Sequence, residues 1–222
     1  MNRDELERAF SVPRFSRFVA ATEGDYAKGY ELYKANLRIS SHLFANIAVF
    51  EVVFRNAIDA HYRMRFRDEN TEGLGWLFAQ SSPSGFLAKR GCEKSRASVL
   101  ESIQKFGEAY AHDKAVANLG FAFWRNLFNA KEFSAGGDSL LKIFQHKPRG
   151  LGLNQTFVFN QLNVVNDIRN RIAHHDPICF IPKTPAISFE IPNRAQESMK
   201  ELVDWLGFQS HQLLNPLDLK MD

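Results

Sequence analysis

Five residues crowded into one short stretch carry groups that could do chemistry. They are Arg169, Asn170, Arg171, His174 and His175, within Asn163–Pro177, NVVNDIRNRIAHHDP. Histidine titrates near neutrality, so His174 suits general acid and base work. Arginine presents a fixed fork of donors that matches phosphate oxygens, so Arg169 suits stabilising negative charge as it develops. Asn170 is placed to orient His174, and Arg171 and His175 are candidate phosphate contacts. Each residue taken singly has a plainer reading. A histidine at a helix C-terminus favours the helix dipole. An asparagine stripe is a solvated face, and an arginine among apolar residues is a structural ion pair. The combination is what points to chemistry.

These residues must be positioned by a helix. With Phe157 at zero and about 100° per residue, Phe157, Val158, Leu162, Val164, Val165, Ile168 and Ile172 share one arc, the expected core face. Asn163, Asn166, Asn170 and His174 form a polar stripe, with Arg171 and His175 as an i,i+4 pair beside it. Arg169 falls inside the apolar arc, where a charge must be paired or reach past the rim. Asn154 or Thr156 is the expected N-cap, and the helix is expected to stop near Asp176-Pro177. On a regular helix, Arg169 and His174 point about 140° apart. Convergence therefore needs the long Arg side chain, a loosened helix end before Pro177, or a second copy of the motif.

A second helix offers a partner. Tyr26–Arg67 reads as helix nearly throughout, with a bend near Ser40-Ser41 as the one expected interruption. Leu43, Phe44, Ile47, Phe50, Phe54 and Ile58 share a face, with Glu51 in the middle of it and Arg55 at its edge. Glu51 is expected to pair with Arg55 along the helix or with Arg169 across a helix–helix contact. In the second case it holds Arg169 in place; the alternative is an ion pair without a catalytic role. The spacing from Arg55 to His61 repeats the Arg-Asn-to-His pattern, but mid-helix, where His61 is expected to be structural.

The stretch Arg169–His174 resembles the R-x(4–6)-H motif of HEPN ribonucleases, in which a polar residue follows the arginine. RNRIAHHDPI on a late helix, with IAVFEVVFRNAID (Ile47–Asp59) as first core helix, is similar to the Abi-like branch, the abortive-infection proteins. The likeness runs from about Tyr26 to about Leu214. It implies a metal-independent endoribonuclease acting in phage defence or as a toxin. Attack by a 2′-hydroxyl would leave a 2′,3′-cyclic phosphate. It also implies a homodimer whose two motif helices form a composite site, RNA as substrate, and an antitoxin as a candidate partner. Two rivals stand beside it: a catalytically silent RNA- or nucleotide-binding module, and a structural helical dimer.

Composition bounds the rest. The 222 residues suit one sizeable domain over 1–222, with 1–22 as an N-terminal extension, in which residues 3–10 read as a short helix ended by Pro13, and 178–192 as an irregular Pro-containing loop. A hydrophobic content of 45% with 20 Phe is ample for a core, and a net charge of +3 permits a polyanionic partner. Two cysteines, Cys92 and Cys179, are too few for a zinc site or a disulfide framework, so no metal or cofactor is expected. The charged N-terminus has no signal-peptide core. Ile39–Phe50 reads as too short and too polar to span a bilayer, so a cytoplasmic protein without a membrane partner is expected. Thr71–Gly85 reads as loop and carries no phosphate-loop pattern. Ser84–Phe106 reads as a helix whose Lys89, Arg90, Lys94, Arg96 and Lys105 either track RNA or line a solvated face. LGFAFWRNLF (Leu119–Phe128) reads as core packing or a subunit contact. Asp138 is the expected cap of a short helix to Gln145, and Ala195–Leu214 the last helix. The expected fold is all-α: a HEPN-like helical bundle with a long first core helix and a late motif helix.

Overall fold

A computed structural model describes residues 3–67 and 73–216. Its spine is one helix of 40 residues, α3 (Tyr26–Arg65), following two short helices, α1 (Arg3–Phe10) and α2 (Val12–Ala21). Asp25 starts the spine by accepting hydrogen bonds from the Ala27 and Lys28 amides, each 3.0 Å. Arg63 and Arg65 sit in its last turn, where cations complement the dipole. No proline interrupts it, and Ser40-Ser41 lie within one continuous helix, so the expected bend is absent. Leu43, Ile47, Phe50, Phe54, Ile58 and Tyr62 recur at helical spacing and are buried along its whole inner side.

Against that side pack α9 (Gln155–Ala173) and α10 (Glu190–Trp205), the two other long components of the main core. The remainder of the core comes from short helices: α4 (Gly75–Ser81), α5 (Glu93–Phe106), α6 (His112–Asn118), α7 (Phe121–Asn126) and α8 (Ala130–Ala135). The aromatic stretch of α7 is core, as expected: Phe121 and Phe128 lie against Phe54 at ring-centroid distances of 6.4 and 5.6 Å. A buried polar tie closes the bundle at its far end. Asn46 donates to Gln196 Oε1 (3.0 Å) and to the Asn215 carbonyl (2.9 Å), and accepts from the Asn215 amide (3.0 Å). The fold is all-α; among the described residues the only extended pairing is one antiparallel bridge between Phe180 and Ile187.

Several local expectations are corrected. Pro13 does not end α1; it lies at the start of α2, where its fixed φ and missing N–H fit a first turn. Residues 3–21 are consequently more than an extension: Leu6, Phe15 and Phe18 form a second core with Leu32, Cys179 and Phe180. The segment 75–81, read as loop, is α4, and the helix expected from Ser84 begins only at Glu93. Asp138 takes φ +53 and caps nothing; the short 3₁₀ turn Leu140–Ile143 starts at Ser139. The final helix is two, α10 and α11 (Ser210–Leu213), separated at Gly207 with φ +94, a conformation that ends a helix. Both cysteines are free and buried, and burial pushes each thiol up to about 11.

The outer side of α3 is unusual. Leu37, Phe44, Val49 and Val52 are exposed there, so the helix is apolar on both sides. It contains an 18-residue window of mean hydropathy 1.4, 39% buried, and so is long and apolar enough to cross a membrane by length and composition. Ile39–Phe50, expected to be too short to span a bilayer, is part of this longer apolar helix.

Candidate active site at the end of the motif helix

Helix α9 begins where Asn154 accepts a hydrogen bond from the Phe157 amide at 2.9 Å, one of the two expected caps. Val158, Leu162, Val165 and Ile168 are fully buried against α3 and α10. Two positions differ from the expected wheel. Phe157 is 39% exposed and lies beside Trp205, with ring centroids 6.0 Å apart. Asn166 is only 7% exposed, so the asparagine stripe is not a solvated face along its length. Neighbouring helices cover one flank of the stripe and leave Asn170 and His174 in solvent.

The helix stops at Ala173, three residues before the expected point. His174 is the C-cap, with φ −89 and ψ 7, and its N–H reaches the Asn170 carbonyl at 3.0 Å. The His175 amide returns to the Ile172 carbonyl (2.9 Å) and the Asp176 amide to the Arg171 carbonyl (2.8 Å). This paired 5→2 and 6→1 closure is a Schellman stop, whose C′ residue must be left-handed. His175 fills that place with φ +57, where glycine is usual. The turn is pinned from outside as well. Arg171 donates to the Pro177 carbonyl, so one of its guanidinium nitrogens is committed to the stop. Burial, then the neighbouring Arg17, lowers the pKa of Arg171. Arg17 itself donates to the carbonyls of Ile181 and Thr184 and lies over the Phe180 ring at 4.6 Å. The irregular segment after the motif is thereby tied to α2.

Arg169 is half-buried and within electrostatic reach of Glu51 on α3. Burial pushes the Glu51 carboxyl above its ordinary range. Arg169, Arg55 and the Phe121 amide pull it back only in part. Among the described residues no direct ion pair joins Glu51 to either arginine; the three share a neighbourhood rather than a tight bridge. Arg55 reaches the Ala117 carbonyl at 3.5 Å, while its Nε is buried without a partner. The structure thus places Arg169, Glu51 and Arg55 together, and gathers His174, His175 and Arg171 in the adjoining turn. His61 is elsewhere, 2.9 Å from Ser139 Oγ, and burial followed by Arg65 and Lys142 lowers its pKa. Of the basic residues around α5, Arg96 donates to the Ser81 carbonyl (2.9 Å) and Lys105 to Asn118 Oδ1 (2.6 Å).

Two features escaped the sequence. The first is a buried carboxylate, Asp59, which receives His112 Nε2 (2.7 Å), Trp76 Nε1 (2.7 Å) and Arg63 Nε (2.6 Å). Burial alone would raise its pKa, but the hydrogen bonds from His112, Arg63 and Trp76 outweigh that and hold it below the usual range. Nothing local marks this cluster except the Asp59–Arg63 spacing. The second is a cavity of about 320 Å³ between α3 and the end of α9. Its lining includes Leu37, Ser40, Phe44, Ile172 and His175, with Asn36 in its wall. The signal was available: Asn36 and Ser40 are polar residues one turn apart between the apolar positions Leu32, Ala35, Ile39 and Leu43. Among the described residues no group of three or more His, Cys, Asp or Glu is placed to hold a metal ion. Comparison of the chain with protein-family models, curated proteins and solved structures gives no match.

Proposed function

We propose that this protein is a metal-independent endoribonuclease of the HEPN type, acting in phage defence or as a toxin. The observation that supports this reading is the placing of Arg169, Asn170 and His174. A solvent-exposed imidazole sits on a rigid helix stop, and an arginine is held one turn earlier beside an acid. In the reaction the 2′-oxygen bonds to the adjacent phosphorus and the bond to the 5′-oxygen breaks. The 2′-hydroxyl gives up its proton and the departing 5′-oxygen gains one, with His174 carrying the transfer; Arg169 meets the charge on the phosphorane oxygens, and Asn170 orients the imidazole. The products are a 2′,3′-cyclic phosphate and a 5′-hydroxyl. Glu51 and Arg55 act behind Arg169, and His175 adds a contact for phosphate, with the free part of the Arg171 fork beside it.

A homodimer belongs to this reading. Ala45, Ala48, Val49 and Val52 lie on one exposed stripe of α3. A second copy packed there would bring two motifs to one cleft and supply the convergence that a single helix lacks. The partner set is then RNA, a second copy and an antitoxin, in the cytoplasm. One observation favours the silent binding module instead: Arg169 already has an acidic neighbour, as a structural arginine would.

Expression in bacteria separates the two. The ribonuclease reading predicts growth arrest that disappears in His174→Ala while the protein still accumulates and folds. Arrest of equal strength with His174→Ala would favour the binding module.

A further inference from the structure

The cavity beside the motif has two kinds of wall. Leu37, Phe44, Ile172 and Ala173 make it apolar, and Phe44 is 44% exposed. Asn36 and Ser40 are only 4% and 7% exposed, and both line it. Asn36 Oδ1 accepts the Ile178 amide at 2.9 Å, which fixes the orientation of the side-chain amide. Among the described residues its Nδ2 donates to no protein group, and the Ser40 hydroxyl has no hydrogen bond to a protein group. An amide held in one orientation by the Ile178 N–H, in the wall of a cavity and with a donor that no described residue uses, suits a ligand acceptor. At the mouth stand the His175 ring and the Asp176 carboxylate, which can accept an N–H.

We propose that this cavity binds a keto nucleobase, uracil or guanine, of an RNA strand. The proposal rests on the ribonuclease reading for its place next to the cut, since His175 lines the cavity and His174 is the residue before it. A volume of about 320 Å³ is at the small end of ordinary ligand pockets, which run from about 300 to 1,000 Å³, and accommodates one nucleoside. The base stacks on Phe44, as bases do on aromatic side chains that bind single strands. The ring carbonyl takes the hydrogen bond from Asn36 Nδ2, with Ser40 beside it. The adjacent ring N–H points to Asp176. Cytosine and adenine lack a ring carbonyl beside a ring N–H, so neither satisfies Asn36 and Asp176 together, and both are disfavoured. The apolar side chain of a second copy would fill the space but leave the Asn36 donor desolvated and unpaired.

The test is a titration of the intact protein with uridine 3′-monophosphate, followed through the Ile172 methyl resonances. Cytidine 3′-monophosphate and ribose 5-phosphate serve as controls. The expected result is saturable binding of the uridine nucleotide, weaker binding of the cytidine one, and none of the sugar phosphate at this methyl. Phe44→Ala, at an exposed site, should weaken binding by about tenfold. Asn36→Asp keeps the acceptor for Ile178 but turns the donor into an acceptor, and should reverse the uridine–cytidine order. Ser40→Ala, weakening the uridine nucleotide alone, serves if the Asn36 variant does not fold. Equal binding of both nucleotides, or none, overturns the proposal. So does a Phe44→Ala protein that loses dimerisation but keeps its nucleotide affinity. The two readings fail separately. A protein that binds the uridine nucleotide here but cuts no RNA keeps the pocket and loses the ribonuclease. One that cuts without regard to base and binds nothing here does the reverse.

Discussion

Two histidines in this molecule, His112 and His174, live in opposite surroundings. His112 lies in the core against Asp59, whose two oxygens are filled by His112, Trp76 and Arg63. Gly75 packs so close to the ring that a Cβ there would come within 2.2 Å of Nδ1. No substrate can approach it. His174 stands in solvent at the end of α9, its backbone held by a Schellman stop and its ring free to meet a ligand. The acid on α3, Glu51, is in reach of Arg169 and Arg55 rather than of this imidazole. The difference teaches that a close His–Asp pair is not by itself a catalytic one. Burial and a carboxylate filled by three donors make the first a strut, while exposure on a closed turn leaves the second available.

That contrast can be broken by mutation, and the strut should show the largest effect. Asp59→Ala removes a carboxylate from three donors, two of them buried, and should cost about 3–5 kcal/mol in denaturant unfolding. His174→Ala should stay within about 0.5 kcal/mol of the parent. Equal effects at both sites would erase the distinction. The same carboxylate sets an acid limit. Its pKa is lowered on folding from an ordinary 3.8. The stability it confers is therefore present above pH 3.8 and lost as the pH falls through the lower folded value. Glu51 works in the other sense. Its pKa is raised from 4.5, so its contribution is present below that value and fades as the pH rises through the folded one. Asp59→Ala should flatten the acid limb of the stability curve; an unchanged limb would assign that limb to other groups.

A smaller effect sharpens the active-site half of the comparison. Glu51→Gln and Arg169→Gln, made singly and together, should show a coupling of about 0.5–1 kcal/mol, since the groups interact without a direct bridge. Strict additivity would remove Glu51 from the site. Smaller in consequence, and opposite in sign, is His175→Gly. A left-handed residue without the penalty of a Cβ should stabilise the fold by up to about 1 kcal/mol. A loss of stability would mean that the ring makes contacts that outweigh its backbone conformation.

How far the chain could be read in advance follows the same division. The long spine was legible because its apolar positions recur over 40 residues with a capping Asp25 before them. The start of α9 was legible from Asn154, and the aromatic run of α7 from its composition. The stop of α9 was placed three residues late, because the usual sign of a Schellman turn is a glycine and here it is His175. Pro13 was read as a terminator because the same residue ends one helix and starts another, and only the packing of Phe15 and Phe18 decides which. Asp59 and His112 lie 53 residues apart, and no local period joins them. The neighbourhood of Glu51, Arg55 and Arg169 was readable in advance, since Glu51 and Arg169 interrupt apolar arcs and Arg55 stands at the edge of one, but the direct pair expected of Glu51 is absent among the described residues.

The central claim is that His174 moves protons in RNA cleavage without a metal. It is tested most directly by incubating the purified protein and His174→Ala with total bacterial RNA in EDTA, and mapping the ends produced. The account predicts cleavage by the parent protein, a loss of at least about a hundredfold in the variant, and ends bearing 2′,3′-cyclic phosphates and 5′-hydroxyls. Equal cleavage by both proteins, or none by a folded parent protein, would contradict it.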